Sequence, residues 1–346
     1  MNTELFIIDS PKGREKEIAR VAQILKNGGL AVIPTETVYG LGGLATSDLA
    51  AKAIYEAKGR PSDNPLIIHI ASPEDAEPYA LTNETYYKLA KKFMPGPLTV
   101  ILPKKDTIPH SVTGGLDTVA VRCPAHPVAR ALIEAVGQPI AAPSANRSGR
   151  PSPTSAAHAK EDLWGRVDVI VDGGDCEVGL ESTIIKLEGD KGVLLRPGAI
   201  TPDALSCVCE VSIAPAVTAA LAANERPLSP GMKYRHYAPE AQLVLLDGDE
   251  AAVLHHLKNA AKDPEIGILC YDEEEPLLSG NATLFPVGKK EDLATQARRL
   301  FAALREADAH PSLKKLYAHL PPQNGLGLAL YNRCIRAAAH TVEKID

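Results

Sequence analysis

Residues 34–43, which read PTETVYGLGG, constrain the fold of this chain more than any other stretch. The preceding run LAVI is short, apolar and partly β-branched, and glycines and a proline bound it, which indicates a buried strand. Three hydroxyls follow, on Thr35, Thr37 and Tyr39, and then three glycines that permit a sharp bend or close approach to a ligand. Residues 47–57 predict a helix with a serine N-cap. This order is typical of a small-molecule site in an α/β protein, although a tight connection without a ligand also explains it.

Length and charge restrict the function classes. The 346 residues suggest two domains, and a hydrophobic content of 45% with 23% charged residues permits a packed core in each. Only 4% of residues are aromatic, so base-stacking surfaces of the single-strand-binding type are not expected. The net charge is −6, and neither the part before Pro202 nor the part after it is basic. This argues against broad electrostatic binding to nucleic acid.

The cysteines and the N-terminus predict a cytoplasmic protein. The six cysteines have neither CxxC spacing nor a paired histidine motif, which argues against structural zinc. The first residues lack the apolar core of a secretory signal, and no apolar run is long enough to span a membrane. We therefore expect free thiols in a reducing cytosol.

The segment KGRPSDNP, which begins at Lys58, is a candidate anion site. Its two prolines end the preceding helix and stiffen the loop. Lys58 offers a mobile point charge and Arg60 a planar fork suited to phosphate or carboxylate, with Asn64 behind them. Basic residues that cap a helix C-terminus in solvent are the alternative. The stiffened loop favours the anion site.

Further polar side chains stand at the ends of predicted strands. His69 lies in the apolar run LIIHIA, where a lone histidine is more often a satisfied core residue than a ligand. The strand VAVR ends at Arg122, and the strand that ends at Ala142 runs into Ser144 and Asn146. Many short strands with helices between them predict a mixed or twisted α/β sheet.

Two common nucleotide motifs are missing. No GxxxxGK[ST] sequence occurs, so a P-loop is not supported. Gly325-Leu326-Gly327 lacks a third glycine and does not clearly follow a strand, so a dinucleotide fingerprint is weak. Bound ATP would therefore require separate arginine, lysine, serine and asparagine side chains.

The C-terminal third has a simpler pattern. Alternating strand-like and helix-like segments predict a small parallel sheet, with a last helix over residues 327–342. Several prolines in residues 204–240 indicate a partly extended linker. We therefore predict a first domain at 1–203, a linker at 204–240 and a small α/β domain at 241–346.

Seven motifs occur in this order along the chain: PTETVYGLGG, KGRPSDNPLIIHI, PGPLTVIL, VAVRCPAHP, PIAAPSANRSGRPSPT, ESTII and LLRPG. Together they resemble the YrdC-type family of threonylcarbamoyl-AMP synthases. The segment SPGMKYRHYAP, residues 229–239, is similar to that of the longer two-domain members. The resemblance implies a twisted, largely open α/β sheet with a concave cavity, a linker that crosses this cavity, and a smaller Rossmann-like domain.

The resemblance also implies an activity. Such a nucleotidyltransferase converts L-threonine, bicarbonate and ATP, with Mg²⁺, into threonylcarbamoyl-AMP and pyrophosphate. Downstream transferase proteins then use the product to make threonylcarbamoyladenosine in tRNA. Two other classes are a protein that binds tRNA or double-stranded RNA, which the acidity of both parts opposes, and a carbamoyl transferase, whose relatives normally carry additional domains.

The resemblance assigns roles to individual residues. For the reaction that the resemblance implies, we expect Lys58 and Arg60 to be the catalytic cations, which stabilise charge on the α-phosphate, and we expect no protein side chain to coordinate a metal directly. The expected L-threonine contacts are Thr37, His69, Arg122, Ala142 and Ser182. The expected ATP contacts are Arg60, Asn64, Thr118, Ser144, Asn146, Ser152, Arg196 and His236, and residues 233–237 would cover the site. Turn or cap chemistry is the alternative for the three serines.

Overall fold

The computed structural model describes residues 2–219, 227–230 and 237–346. The chain forms two compact units: Met1–Ser148 with Ser152–Lys233, here called the N-terminal unit, and Gly149–Pro151 with Tyr234–Asp346, the C-terminal unit. The predicted domain boundaries and the path of the predicted linker remain predictions.

The N-terminal unit is built on one mixed sheet of eleven strands in the order β1-β8-β2-β3-β7-β4-β6-β5-β9-β10-β11. Parallel and antiparallel neighbours alternate irregularly, which confirms the predicted mixed α/β class. The strands are β1 (Glu4–Ile7), β2 (Ala31–Ile33), β3 (Gly40–Leu44), β4 (Ile67–His69), β5 (Leu98–Pro103), β6 (Thr118–Arg122), β7 (Ile140–Ala141), β8 (Val169–Asp172), β9 (Thr183–Glu188), β10 (Lys191–Arg196) and β11 (Val211–Ile213). The helices are α1 (Glu15–Lys26), α2 (Asp48–Lys58), α3 (Glu84–Phe93), α4 (Pro127–Val136), α5 (Ala156–Leu163) and α6 (Pro202–Ser206).

Alternation along the central strands divides the core into two layers. Val32 of β2 and Ile170 of β8 belong to one buried cluster, whereas their neighbours Ile33 and Val171 belong to another. Successive side chains of a strand point to opposite faces, so the two clusters lie on the two sides of the sheet. The apolar stripe of α1 joins the second cluster, and α2 joins the first. Because these strands are buried on both faces, their sequences are almost continuously apolar.

The glycines of PTETVYGLGG form a strand, which corrects the predicted glycine-rich turn. Gly40, Gly42 and Gly43 lie in β3, which pairs antiparallel with β2. A Cβ at Gly42 would approach Ile140 Cγ2 to 2.8 Å, and one at Gly43 would lie 3.2 Å from Ile54 Cδ1. These glycines therefore permit close packing of neighbouring elements, and the turn itself is limited to residues 34–39.

Both ends of α2 follow from the sequence. The Ser47 hydroxyl accepts a hydrogen bond from the amide of Ala50 at 3.2 Å, which confirms the predicted N-cap. Gly59 has a φ of 62°, the left-handed conformation that commonly ends a helix. The helix thus places Lys58 in its last turn, directly before the proline-stiffened loop.

The C-terminal unit confirms the predicted small parallel sheet. Its order is β14-β13-β15-β12-β16, and the pairs are parallel. The strands are β12 (Gln242–Gly248), β13 (Ile266–Cys270), β14 (Thr283–Pro286), β15 (Lys315–His319) and β16 (Val342–Ile345), and the helices are α7 (Glu250–Ala260), α8 (Leu293–Asp308) and α9 (Gly327–Ala337). The predicted last helix is too long, because the chain leaves α9 to form the edge strand β16.

The Gly325-Leu326-Gly327 segment does follow a strand, contrary to the sequence-based interpretation. It lies between β15 and α9. A Cβ at Gly327 would lie 2.6 Å from the ring and the carbonyl oxygen of Pro322, so packing alone requires a glycine there. The third glycine of the fingerprint is still missing, and the segment does not indicate a dinucleotide site.

Candidate active site

Three polar side chains lie side by side on adjacent strands of the N-terminal unit. His69 of β4 is in register with Arg122 of β6, which is in register with Thr99 of β5. Residues directly opposite on neighbouring strands project from the same face of a sheet. The Thr99 hydroxyl continues the row through a 2.7 Å hydrogen bond with the hydroxyl of Ser182, just before β9. The sequence analysis predicted His69, Arg122 and Ser182 but missed Thr99.

A buried ion pair lies at the centre of this row. Nη2 of Arg122 donates to Oε1 of Glu36 at 2.7 Å, and the two side chains are only 5% and 7% exposed. Burial raises the pKa of Glu36, but the adjacent guanidinium outweighs it and the net pKa lies below the ordinary value. Glu36 is therefore a carboxylate at neutral pH. The sequence analysis missed it, because its partner is 86 positions away.

His69 is buried and uncharged. Burial, reinforced by the Arg122 charge, lowers its pKa to about 3, although Glu36 acts in the opposite direction. Its Nδ1 atom is buried and has no hydrogen-bond partner within the described residues. A neutral ring with an unsatisfied nitrogen differs from the satisfied core histidine that is the common case, so His69 has capacity to contact a ligand.

The depressed pKa of His69 predicts a specific dependence of stability on pH. The unfolded chain binds a proton at His69 below about pH 6.5, whereas the folded chain does not, so stability is lost as pH falls towards 3. Between pH 7 and pH 5, His69→Gln is expected to lose about 2 kcal/mol less unfolding free energy than the wild type. Urea titrations at both pH values measure this. The exposed His255→Gln should behave as wild type, and an equal loss in His69→Gln would contradict the assignment.

Lys58 joins α2 to the loop that follows β7. Its Nζ atom donates to the carbonyl oxygens of Ser144 and Asn146 and, at 3.3 Å, to the Asn146 amide oxygen. The Ser144 hydroxyl donates to the same amide oxygen at 2.6 Å. The prediction that Lys58 offers a mobile charge is therefore wrong, because two backbone carbonyls hold its ammonium group in place. Lys58, Ser144 and Asn146 nevertheless lie in contact with one another.

Arg60 organises the proline-stiffened loop. Its Nη2 atom donates to the carbonyl oxygen of Pro65 at 3.1 Å and to that of Asn64 at 3.3 Å. The side-chain oxygen Oδ1 of Asn64 is buried, and no described residue hydrogen-bonds to it. This loop thus holds a buried guanidinium beside an unsatisfied amide oxygen.

The segment Glu181-Ser182 contacts two further predicted residues, Ser152 and Arg196. Arg196 donates from Nε to the Ser182 carbonyl at 3.0 Å and from Nη2 to its hydroxyl at 3.1 Å. The Ser152 hydroxyl donates to Oε1 of Glu181 at 2.5 Å. Glu181 was not predicted, and its only signal in the sequence is its position before Ser182. The row His69–Arg122–Thr99–Ser182 therefore continues to Arg196.

The structure gives fewer contacts for the other predicted residues. Thr37 is buried, and its hydroxyl is 2.9 Å from that of Thr35. The amide of Ala142 donates to the carbonyl oxygen of Ile67 at 2.9 Å, so this amide is already engaged within the sheet. Thr118 begins β6 and lies about 13 Å along that strand from Arg122, at the opposite end. His236 and most of residues 233–237 lie outside the described residues.

Neither a metal cluster nor a membrane helix occurs in the described ranges. Residues 2–219, 227–230 and 237–346 contain no group of three His, Cys, Asp or Glu side chains that could hold a metal ion. None of the helices in the same ranges is long and apolar enough to cross a membrane.

The mixed sheet carries a row of buried hydroxyl, imidazole and guanidinium groups at its strand ends, so the class is an α/β protein with a candidate small-molecule site there. Two family models match the chain. A Sua5, YciO and YrdC model described as telomere recombination matches residues 23–198, and a model described as the C-terminal domain of threonylcarbamoyl-AMP synthase matches residues 200–339. The chain belongs to the threonylcarbamoyl-AMP synthase family.

Relatives with this name align over nearly the whole chain. The threonylcarbamoyl-AMP synthase of Pyrococcus abyssi is 43% identical, covering 96% of both chains. That of Bacillus subtilis is 44% identical, covering 97% of both. A crystal structure of P. abyssi Sua5 complexed with L-threonine is 41% identical, covers 100% of both chains and has a TM-score of 0.88.

Proposed function

We propose that this chain is a nucleotidyltransferase that converts L-threonine, bicarbonate and ATP into threonylcarbamoyl-AMP and pyrophosphate. Its product would serve threonylcarbamoyladenosine formation in tRNA through downstream transferase proteins in the cytoplasm. The observation that carries the proposal is the buried Arg122 between His69 and Thr99, in a chain that aligns end to end with synthases of this name.

Arg122 would bind the threonine carboxylate. A guanidinium binds a planar carboxylate through two parallel N–H donors, which fixes orientation as well as charge. His69 lies on one side of it and Thr99, hydrogen-bonded to Ser182, on the other, and Thr37 and Ala142 are further predicted contacts. Neutral hydrogen-bonding groups beside a guanidinium suit a substrate that carries a carboxylate and a hydroxyl. A site that hydrogen-bonds a substrate hydroxyl discriminates strongly against analogues that lack it.

The chemistry requires two bonds to form. The threonine amine attacks the carbon of bicarbonate, and a C–N bond forms as water leaves, which gives a carbamate. A carbamate oxygen then attacks the α-phosphorus of ATP, and the bond to the bridging oxygen of pyrophosphate breaks. Lys58 and Arg60 would stabilise the charge that gathers on the α-phosphate, and positioning would supply most of the acceleration.

ATP would be held by single side chains from several strand ends. The proposed contacts are Arg60, Asn64, Thr118, Ser144, Asn146, Ser152, Arg196 and His236. We expect Mg²⁺ to enter with ATP and to be held mainly by triphosphate oxygens. Bound Mg²⁺ would supply positive charge to the triphosphate.

The domain assignment is part of the proposal. Residues 1–203 would form the catalytic domain, and residues 241–346 would form the small Rossmann-like domain. Residues 204–240 would be a linker that crosses the active site, with residues 233–237 as its cover. A cover of this kind would exclude water from the short-lived carbamate.

A direct assay tests the proposed reaction. The purified chain is incubated with ATP, L-threonine and bicarbonate, and the products are identified by mass. We expect an adenylate that appears only when threonine is present, together with an equal amount of pyrophosphate. Valine, which replaces the threonine hydroxyl by a methyl group, is the matched control and should give little product. Adenylate formation that requires carbamoyl phosphate, or none at all, would contradict the proposal.

A further inference from the structure

Glu36, the ion-pair partner of Arg122, has one carboxylate oxygen without a hydrogen bond among the described residues. Its Oε1 atom accepts from Arg122, but Oε2 is buried and has no hydrogen-bond partner among the described residues. Backbone hydrogen bonding by the amides of Glu36 and Ala125 helps to lower the pKa of this carboxylate, but Oε2 itself has no partner at hydrogen-bond geometry among the described residues. An unsatisfied buried carboxylate oxygen is costly, so a ligand that donates an N–H to it gains that energy on binding.

Arg122 likewise retains capacity for a ligand. It uses Nη2 for Glu36 and Nε for the carbonyl oxygen of Gly96 at 3.4 Å. Within the described residues, Nη1 makes no hydrogen bond. The pair therefore presents a cation with a free donor next to an anion with a free acceptor, 2.7 Å apart at their point of contact.

We propose that Glu36 binds the α-amino group of the substrate, so that Arg122 and Glu36 together recognise the opposite charges of one α-amino acid. This inference rests on the proposed function, because it takes L-threonine as the ligand. An α-amino acid carries its carboxylate and amino group on one carbon, which matches a fixed cation and anion in contact. Oε2 accepts an N–H of the amine and orients it, while Arg122 holds the carboxylate.

His69 supports the same assignment. Its Nδ1 atom is a second buried polar atom without a partner in the described chain, and the ring lies in register with Arg122. The threonine hydroxyl is the remaining polar group of the substrate. The three polar groups of threonine thus have three partners: Arg122, Glu36 and His69.

A supporting role for Glu36 is the alternative, and the two roles predict different ligand responses. If Glu36 only holds Arg122 in place, removing Glu36 weakens the binding of every ligand that carries a carboxylate. If Glu36 binds the amine, removing it weakens the binding of ligands that carry an amine and of no others. The discriminating ligand is 3-hydroxybutanoate of matching configuration, which is threonine without its amino group.

Calorimetric titration of the full chain with both ligands tests the proposal. Wild-type protein should bind L-threonine about 10- to 100-fold more tightly than 3-hydroxybutanoate. Glu36→Gln should lower the affinity for threonine by a similar factor and should leave the affinity for 3-hydroxybutanoate unchanged or higher. The exposed Glu177→Gln is the control and should change neither affinity. Equal weakening of both ligands by Glu36→Gln would overturn the proposal.

Wild-type protein alone also decides the question if Glu36→Gln does not fold. Equal affinities for threonine and 3-hydroxybutanoate would show that the amine makes no contact and would overturn the inference. Wild-type protein that binds neither ligand would instead overturn the proposed function, and the inference with it. Glu36→Asp, which keeps the charge, should retain part of the preference for threonine.

Discussion

Replacing Arg122 with alanine is expected to abolish measurable threonine binding and to destabilise the N-terminal unit by about 3–5 kcal/mol. The substitution leaves the Glu36 carboxylate buried without its cation, and it removes the guanidinium proposed to hold the substrate carboxylate. Trp164, the single tryptophan of the chain, lies in the N-terminal unit, so its fluorescence in urea reports the unfolding of that unit.

A matched double variant separates stability from binding. Arg122→Met with Glu36→Gln removes both charges and keeps the volumes similar, and neutral replacement of a buried pair is often tolerated. We expect this variant to recover most of the lost stability and none of the threonine affinity. An Arg122→Ala protein that keeps wild-type stability and binds threonine normally would contradict both roles.

Arg60→Ala is expected to lower threonine-dependent pyrophosphate release by about 10²- to 10³-fold, the usual loss when one donor to a developing charge is removed. Arg60 also bonds the carbonyls of Asn64 and Pro65, so its loss loosens the loop as well. Arg60→Lys keeps the charge but not the planar fork, and it should recover only part of the rate.

The exposed Arg20→Ala is the control for loss of one positive charge. Arg20 pairs with Glu4 on the surface, far less buried than Arg60, and its removal should leave the rate near wild type. Pyrophosphate release from Arg60→Ala at a near-normal rate would remove this residue from the proposed chemistry.

Local patterns predicted the elements that carry the site. The Ser47 cap and the prolines after Lys58 act over a few residues, so the sequence alone indicates them. The strand β3 was missed because its three glycines read as a turn. They are needed for close packing against Ile140 and Ile54, which are distant in the sequence.

Contacts between distant segments could not be predicted. Glu36 and Arg122 are 86 positions apart, and only the sheet order places Thr99 beside Arg122. The edge strand β16 was missed because its polar side chains lack the apolar pattern of a buried strand. Local reasoning thus indicated single polar residues at strand ends, whereas their contacts with Glu36, Thr99 and Glu181 required the fold.

The central claim is that the Arg122 guanidinium binds the carboxylate of an amino-acid substrate at the strand ends of the mixed sheet. A crystal structure of this chain with L-threonine tests it most directly. We expect the α-carboxylate within hydrogen-bond distance of Arg122, with the hydroxyl directed to His69. Threonine bound elsewhere, or bound with its carboxylate directed away from Arg122, would contradict the account.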